Sequence, residues 1–392
     1  MKVGERKMKT RSDTIANNLP AYSFTTIQPP NYVTTKLHMY SLDEITNDPD
    51  TFRDAVLNAR PFRPLYAKIK LIYGCNLKCE MCNHWRETRA PAVTMQKFQE
   101  VMTDLAALGC RKVHFSGGEP LLRVGVPELV AHSHALGIRV TMTSNGTLID
   151  KEKAKALIQA GLRGINISID SPIRKIHEKI RGVEGSWKQT TRAVEYMRRY
   201  ARKGKLGIRI NTVVSRDNFD TLMTLPDVAH ELGADGINLI PVDDHCGEQL
   251  SLRKSDIAYF NEHVAPRIAS RGLELGMIKS EDEAYPFGRN QIELQMARAG
   301  RYALGYYKKR PCYAPWTHTL IDHAGMVYVC CMTREQIPPL GDLKKSSFKE
   351  IWEGKAYQQI RLQMHPPALP MCQRCDDFID ENKKIWETIG PY

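Results

Sequence analysis

The sequence predicts an α/β protein, a partial (β/α)6 barrel followed by a small C-terminal domain. Three observations lead there. Between residues 66 and 250 an apolar, β-branched run, a loop, an amphipathic helical pattern and a terminating glycine recur as a unit. Such alternation implies parallel strands with helices outside, and six units in about 180 residues fit part of a barrel rather than a closed eight-fold one. Residues 311–392 break the pattern and hold five of the ten cysteines, Cys312, Cys330, Cys331, Cys372 and Cys375.

Each element follows from local signals. Residues 1–65 contain Pro20, Pro29, Pro30, Pro61 and Pro64, a Thr-rich stretch and one helical pattern at 42–60, which reads as a partly irregular N-terminal extension. The barrel strands are expected at 67–73, 112–115, 139–143, 164–169, 207–214 and 236–240. Thr94 can cap a helix whose apolar Met95, Phe98, Met102, Leu105 and Leu108 recur at helical spacing up to Gly109. Pro127 opens a helix that Gly137 closes, Asp150 caps one closed by Gly161, and 218–232 forms another closed by Gly233. Residues 251–310 read as a charged helical connector. In 311–392 a strand–turn–strand pattern (318–322 and 326–330, turning at Ala324-Gly325) precedes a helix at 347–364.

Composition narrows the function. The 392 residues are 42% hydrophobic and 26% charged, which suits a globular protein with a core. No apolar run nears the roughly 18 residues of a membrane helix. Residues 1–11 are polar, with five Lys/Arg and no apolar segment behind them, so a secretory signal is not expected and the chain is expected in the cytoplasm. The net charge of +12 suits an anionic ligand or a solvated surface; with no RNA module or aromatic–basic motif in view, a nucleic-acid partner is not expected. A membrane-spanning, disulfide-stapled, collagenous or largely disordered protein is excluded.

Ten cysteines in an unsecreted chain point to metal ligands or buried thiols. Cys75-x3-Cys79-x2-Cys82 follows the first strand, where a parallel α/β fold places its chemistry. Three thiolates on one loop suit an iron-sulfur cluster or zinc. Zinc wants four ligands, and His84 could complete the set, but the spacing is poor for a zinc knuckle. A cubane with three protein ligands leaves one iron open to chelate a small molecule.

Cys75-Asn-Leu-Lys-Cys79-Glu-Met-Cys82 resembles the signature of the radical S-adenosylmethionine (SAM) enzymes, which implies a TIM-like partial barrel. Further matches follow in order. Gly117-Gly118-Glu119-Pro120 resembles the loop for the SAM amino group, Ser144-Asn145-Gly146 ends the third strand, and Ser168 and Asp170 end the fourth. Arg181, in His177-x3-Arg181-Gly182, resembles the residue that pairs with the SAM carboxylate, and Met81 sits where the family places a hydrophobic residue against adenine. Taken singly, each match has an ordinary reading as a turn or a solvated helix face. The resemblance implies that the cluster passes an electron into bound SAM and that the resulting 5′-deoxyadenosyl radical takes a hydrogen atom from an unactivated carbon. A reducing partner such as flavodoxin or ferredoxin is implied as well.

Cys312-x12-Gly325-x4-Cys330 with Cys372-x2-Cys375 resembles the auxiliary-cluster region of the SPASM/twitch branch, supported by Trp316, Asp322, Val327, Gly341-Asp342-Leu343 and Ile351-Trp352. No cysteine follows Cys375, so one fully ligated auxiliary 4Fe-4S cluster is expected beside the SAM-binding one. Cys331 could replace Cys330, and a zinc ribbon is the alternative. Such a cluster would carry an electron to or from a substrate radical.

The chemistry at the substrate has two forms, dehydrogenation or epimerisation. Cys246, after the sixth strand, is a candidate hydrogen donor, with Asp243, Asp244 and His245 beside it as candidate binding or proton-transfer groups. Cys110 reads as a packing residue. The expected substrate is a small polar sugar, aminocyclitol or nucleoside-like molecule, with a ribosomally made peptide as the alternative; a non-catalytic electron-transfer or metal-binding protein is the reading from another class.

Overall fold

Six parallel strands follow one another across the sheet in sequence order: β1 (Tyr66–Ile72), β2 (Lys112–Gly117), β3 (Arg139–Ser144), β4 (Gly164–Ser168), β5 (Gly207–Val214) and β6 (Gly236–Pro241). In this computed structural model the described residues are 40–86, 91–201, 204–243, 247–303, 305–334, 336–364, 366, 368–375 and 377–391. They belong to one compact unit, Thr34–Tyr392. Most of the expected N-terminal extension lies outside the described residues; its helical pattern forms Asp43–Thr46 and Pro49–Leu57.

The strands twist into an open α/β arc. Ala67, Ile69 and Leu71 of β1, Val113 and Phe115 of β2, and Ile208 and Ile210 of β5 are buried towards the helices. Helix Met95–Ala107 begins at Thr94, whose side chain accepts from Lys97 N, and Asp150 caps Lys151–Gln159 the same way. One helix starts later than its sequence suggests. The 218–232 segment becomes a 3-10 turn, Leu222–Thr224, and a helix, Leu225–Glu231. Asn218 is occupied elsewhere: its Nδ2 donates to Asp170 O (2.6 Å) and Val213 O (2.8 Å), which locks the end of β5.

The opposite face of the arc is polar. Alternate positions carry Lys68 and Lys70 on β1, His114 and Ser116 on β2, Thr141 and Thr143 on β3, Asn166 on β4, and Arg209 and Asn211 on β5. His114 bridges Thr141 and Thr143 at 2.9 Å each, and Asn238 of β6 reaches Asn211 at 2.8 Å. A closed barrel fills that face with branched aliphatic residues; here it carries polar side chains that bond one another across the strands.

The C-terminal hairpin continues the same sheet. β7 (His318–Ile321) runs parallel to β1 in register from Tyr66↔His318 to Ile69↔Ile321, β8 (Met326–Tyr328) returns antiparallel, and β9 (Gly341–Asp342) adds the edge. The 347–364 helix is broken at Gly354 into Phe348–Glu353 and Lys355–Leu362. Trp316 and Trp352 tie this region to the N-terminal segment through Ala55 O (3.2 Å) and Phe62 O (3.0 Å).

Candidate active site and its two thiol sets

The loop Cys75–Cys82 leaves the C-terminal end of β1 and is stitched to the end of helix Arg174–Arg181: Lys78 N donates to Arg181 O and Glu80 N to Ile180 O, both at 3.1 Å. From β2, the Gly117–Pro120 turn closes against its other side. Gly118 N donates to Ile72 O (2.9 Å) and Glu119 N to Gly74 O (3.0 Å). Gly117 has φ +135°, and a Cβ on Gly118 would lie 2.0 Å from Gly74 O, so only glycine fits this approach.

Each sulfur meets nitrogen donors. Cys75 Sγ accepts from Leu77 N (3.5 Å) and Asn145 Nδ2 (3.8 Å), Cys82 Sγ from His84 N (3.5 Å) with His84 Nδ1 at 3.2 Å, and Cys79 Sγ from Arg181 Nη1 (3.7 Å). Burial pushes the Cys79 thiol up to about 11 despite the Arg181 guanidinium. Three soft donors with N–H groups aimed at sulfur fit an iron-sulfur cluster with one iron left open. The His84 ring stacks on Tyr73 at 4.3 Å.

The residues matched to SAM contacts converge here and are tied to one another. Glu119 is fully buried and accepts from Leu121 N (3.1 Å), Ser144 Oγ (2.9 Å) and Asn145 N (2.7 Å), joining the tips of β2 and β3. Asn145 Nδ2 donates to Asn76 Oδ1 (2.9 Å), which carries that link into the cysteine loop. Asp170, just past β4, is fully buried, pairs with Arg181 Nε at 2.7 Å and accepts from Val213 N (3.0 Å). Burial opposes the Arg181 charge, but Asp170 and Cys79 more than offset it and its pKa is raised. Ser168 ends β4 opposite Asn211, and Met81 is half-buried within the cysteine loop.

The second thiol set lies across β1. Cys312 precedes helix Ala314–Thr317, Cys330 follows β8, and Cys372 and Cys375 lie on and beside the turn Pro370–Arg374; all four are buried. Burial, then Cys312 and Cys331, push Cys330 to about 12, and burial with Cys312 and Cys330 raises Cys372, so these thiols crowd one another. Asn382 Nδ2 donates to Cys312 Sγ (3.7 Å) and to Tyr307 OH (2.9 Å). Four buried soft donors fit a fully ligated cubane. Cys331 is half-buried and lies beside Lys68, whose pKa it raises.

Asp243 is exposed and pairs with Arg374 at 3.3 Å; Asp244, His245 and Cys246 lie outside the described residues. Cys110 is buried near the start of β2, where burial pushes its thiol to about 12, as a packing residue should be. The sequence reading missed the cations of the polar face. Their signal was the two-residue alternation of Lys68 and Lys70 in β1, with Arg209 on the same face in β5.

Comparison with known proteins accounts for both sets. Residues 69–225 match the radical SAM superfamily model and 312–376 an iron-sulfur cluster-binding (SPASM) domain. An AdoMet-dependent heme synthase of Nitratidesulfovibrio vulgaris is 33% identical over 322 residues, 74% of this chain and 79% of that protein. A PqqA peptide cyclase of Rhodopseudomonas palustris is 28% identical over 310 residues, 76% of each chain. Streptococcus suis SuiB bound to SAM shares the fold at TM-score 0.61 and 18% identity, covering 85% of this chain and 77% of its own. The chain belongs to the radical SAM superfamily, in its SPASM-domain branch, and takes SAM and two 4Fe-4S clusters as cofactors.

Proposed function

We propose that the chain oxidises a substrate held at the polar face between the two thiol sets, and that Cys75, Cys79 and Cys82 hold the SAM-binding cluster while Cys312, Cys330, Cys372 and Cys375 hold the auxiliary one. When bound, SAM and the first cluster supply a 5′-deoxyadenosyl radical able to take a hydrogen atom from carbon. The chain's own residues position these groups. The Glu119–Ser144–Asn145 network fixes the loop, and Asp170 orients Arg181 beside Cys79.

The carrying observation is that the two sets flank one strand: the Cys75–Cys82 loop leaves the C-terminal end of β1, and β7, which leads through β8 to Cys330, pairs with β1 in register. A substrate resting there lies between an electron entry point and an exit, as an oxidation requires. Two of the relatives named above are a heme synthase and a peptide cyclase. The expectation of a sugar or aminocyclitol is therefore withdrawn. A tetrapyrrole is the first reading, on the heme synthase match, and a peptide the second, on the PqqA cyclase match.

Anaerobic reconstitution with SAM and dithionite should yield 5′-deoxyadenosine, and Cys79→Ala should abolish it. Persistent cleavage in that variant would refute the ligand assignment. Iron near eight per chain is expected for two cubanes, and about four would remove the auxiliary cluster.

A further inference from the structure

The second thiol set is served by a residue from beyond the matched SPASM region, which ends at residue 376. Helix Ile379–Ile389 carries Asn382 in its first turn. The chain enters that helix through Phe378, a buried, bulky residue at φ +62°, a conformation such residues adopt only where their surroundings impose it. The Asn382 side chain is 1% exposed and makes three bonds. Its Oδ1 accepts from Tyr313 N (2.7 Å), and its Nδ2 donates to Tyr307 OH (2.9 Å) and to Cys312 Sγ (3.7 Å).

We propose that Asn382 raises the reduction potential of the auxiliary cluster by donating its side-chain N–H to the sulfur of Cys312. This deepens the function proposed above and rests on its assignment of Cys312 as a cluster ligand. An N–H dipole aimed at a ligand sulfur stabilises negative charge there. A reduced cluster carries one more negative charge than an oxidised one, so the bond favours the reduced form. Burial strengthens the effect, because a hydrogen bond away from water is electrostatically stronger.

The partners of Asn382 explain why an amide stands here. Tyr313 N needs only an acceptor, which an aspartate would supply as well. Tyr307 OH can face an amide N–H or a carboxylate oxygen, since a phenol both donates and accepts; its own hydrogen points to Asp377 O (3.3 Å). A ligating Cys312 sulfur only accepts, so of these three partners it is the one that demands a nitrogen donor. Tyr307, fully buried, takes one of the two Nδ2 hydrogens and leaves the other for the sulfur. Burial, then Cys312 and Cys375, raise the pKa of Tyr307, which sets the phenol beside both thiols. Thr333 lies 3.8 Å from Cys330 Sγ but gives its hydroxyl hydrogen to Cys330 O (2.9 Å), so it does not serve that sulfur in the same way.

The test is a redox titration, followed by electron paramagnetic resonance, of the reconstituted protein carrying both clusters. The first cluster is told apart by the change that SAM makes to its signal. Asn382→Asp keeps the acceptor for Tyr313 N and removes the donor. It should retain iron near eight per chain, lower the auxiliary potential by at least about 59 mV, a tenfold change in a one-electron equilibrium, and leave the first cluster's potential in place. An unmoved auxiliary potential at full iron overturns the proposal, and so does an equal shift of both potentials. If Asn382→Asp sheds the auxiliary cluster, the unaltered protein decides: with nitrogen-15 in the asparagine side-chain amides, the reduced auxiliary cluster should show a nitrogen-15 coupling, and its absence overturns the bond. Iron of about four in the unaltered protein would instead overturn the ligand assignment itself, so the two failures are distinct.

Discussion

At the residue scale, the polar groups around the cysteine loop act as a frame before they act as ligands. Glu119 illustrates this. Burial pushes its pKa up, the donors Asn145 N, Leu121 N and Ser144 Oγ pull it back, and the tips of β2 and β3 are pinned by one carboxylate. Asp170 does the same for Arg181. Asp170→Asn would leave the buried guanidinium without its counter-charge, and a loss of about 3–5 kcal/mol in unfolding free energy is expected. Urea denaturation checks it; a change below about 1 kcal/mol would mean that water already shares the pair. The sequence made these residues legible as a group, because each sits at a strand's C-terminal end. It did not show that Glu119 and Asp170 spend their oxygens on the protein, since Ser144, Asn145 and Val213 are 25 to 43 positions away.

At the element scale, strands were readable nearly to the residue and the capped helices likewise, because β-branched runs, Thr94, Asp150 and closing glycines are local signals. The misses have local and non-local causes. After β4 the chain makes two helices, Arg174–Arg181 and Ser186–Tyr200, parted by Gly182 and Gly185 with φ +66° and +80°; their many charges masked the apolar stripe. That β7 would pair with β1 is a contact across some 250 residues that no local pattern encodes. One element is decisive for the site, the Gly117–Gly118 turn. Gly118→Ala would drive a Cβ to 2.0 Å from Gly74 O and 2.5 Å from Tyr73 O, backbone atoms that can yield only by moving the cysteine loop. Iron content should drop by about half, from the first cluster. Gly137→Ala meets nothing within 4 Å and should keep full iron at a cost of about 1 kcal/mol for its positive φ. Equal iron in both variants would show that the close approach is dispensable.

At the scale of the whole molecule, three histidines sit buried and neutral in separate regions: His114 on the polar face, His177 behind Arg181, and His318 between β1 and β8. Burial pushes each down to about 3, and the Nε2 atoms of His177 and His318 have no hydrogen-bond partner that could repay a proton. The sign follows. An unfolded chain protonates these rings near pH 6.5, whereas the folded chain does not until near pH 3, so the unfolded state binds more protons throughout that window. Stability is therefore complete above about pH 6.5 and falls as the pH drops through it, by up to about 1.4 kcal/mol per pH unit for each ring and about 4 for the three. Urea midpoints taken at about pH 7 and about pH 5.5 should show this decline before the carboxylates titrate. His318→Gln should remove roughly a third of the slope, because one of three equivalent rings is gone. A midpoint that holds constant over that range would mean that the folded protein already takes up these protons, which for His318 requires the sheet to open between β1 and β7.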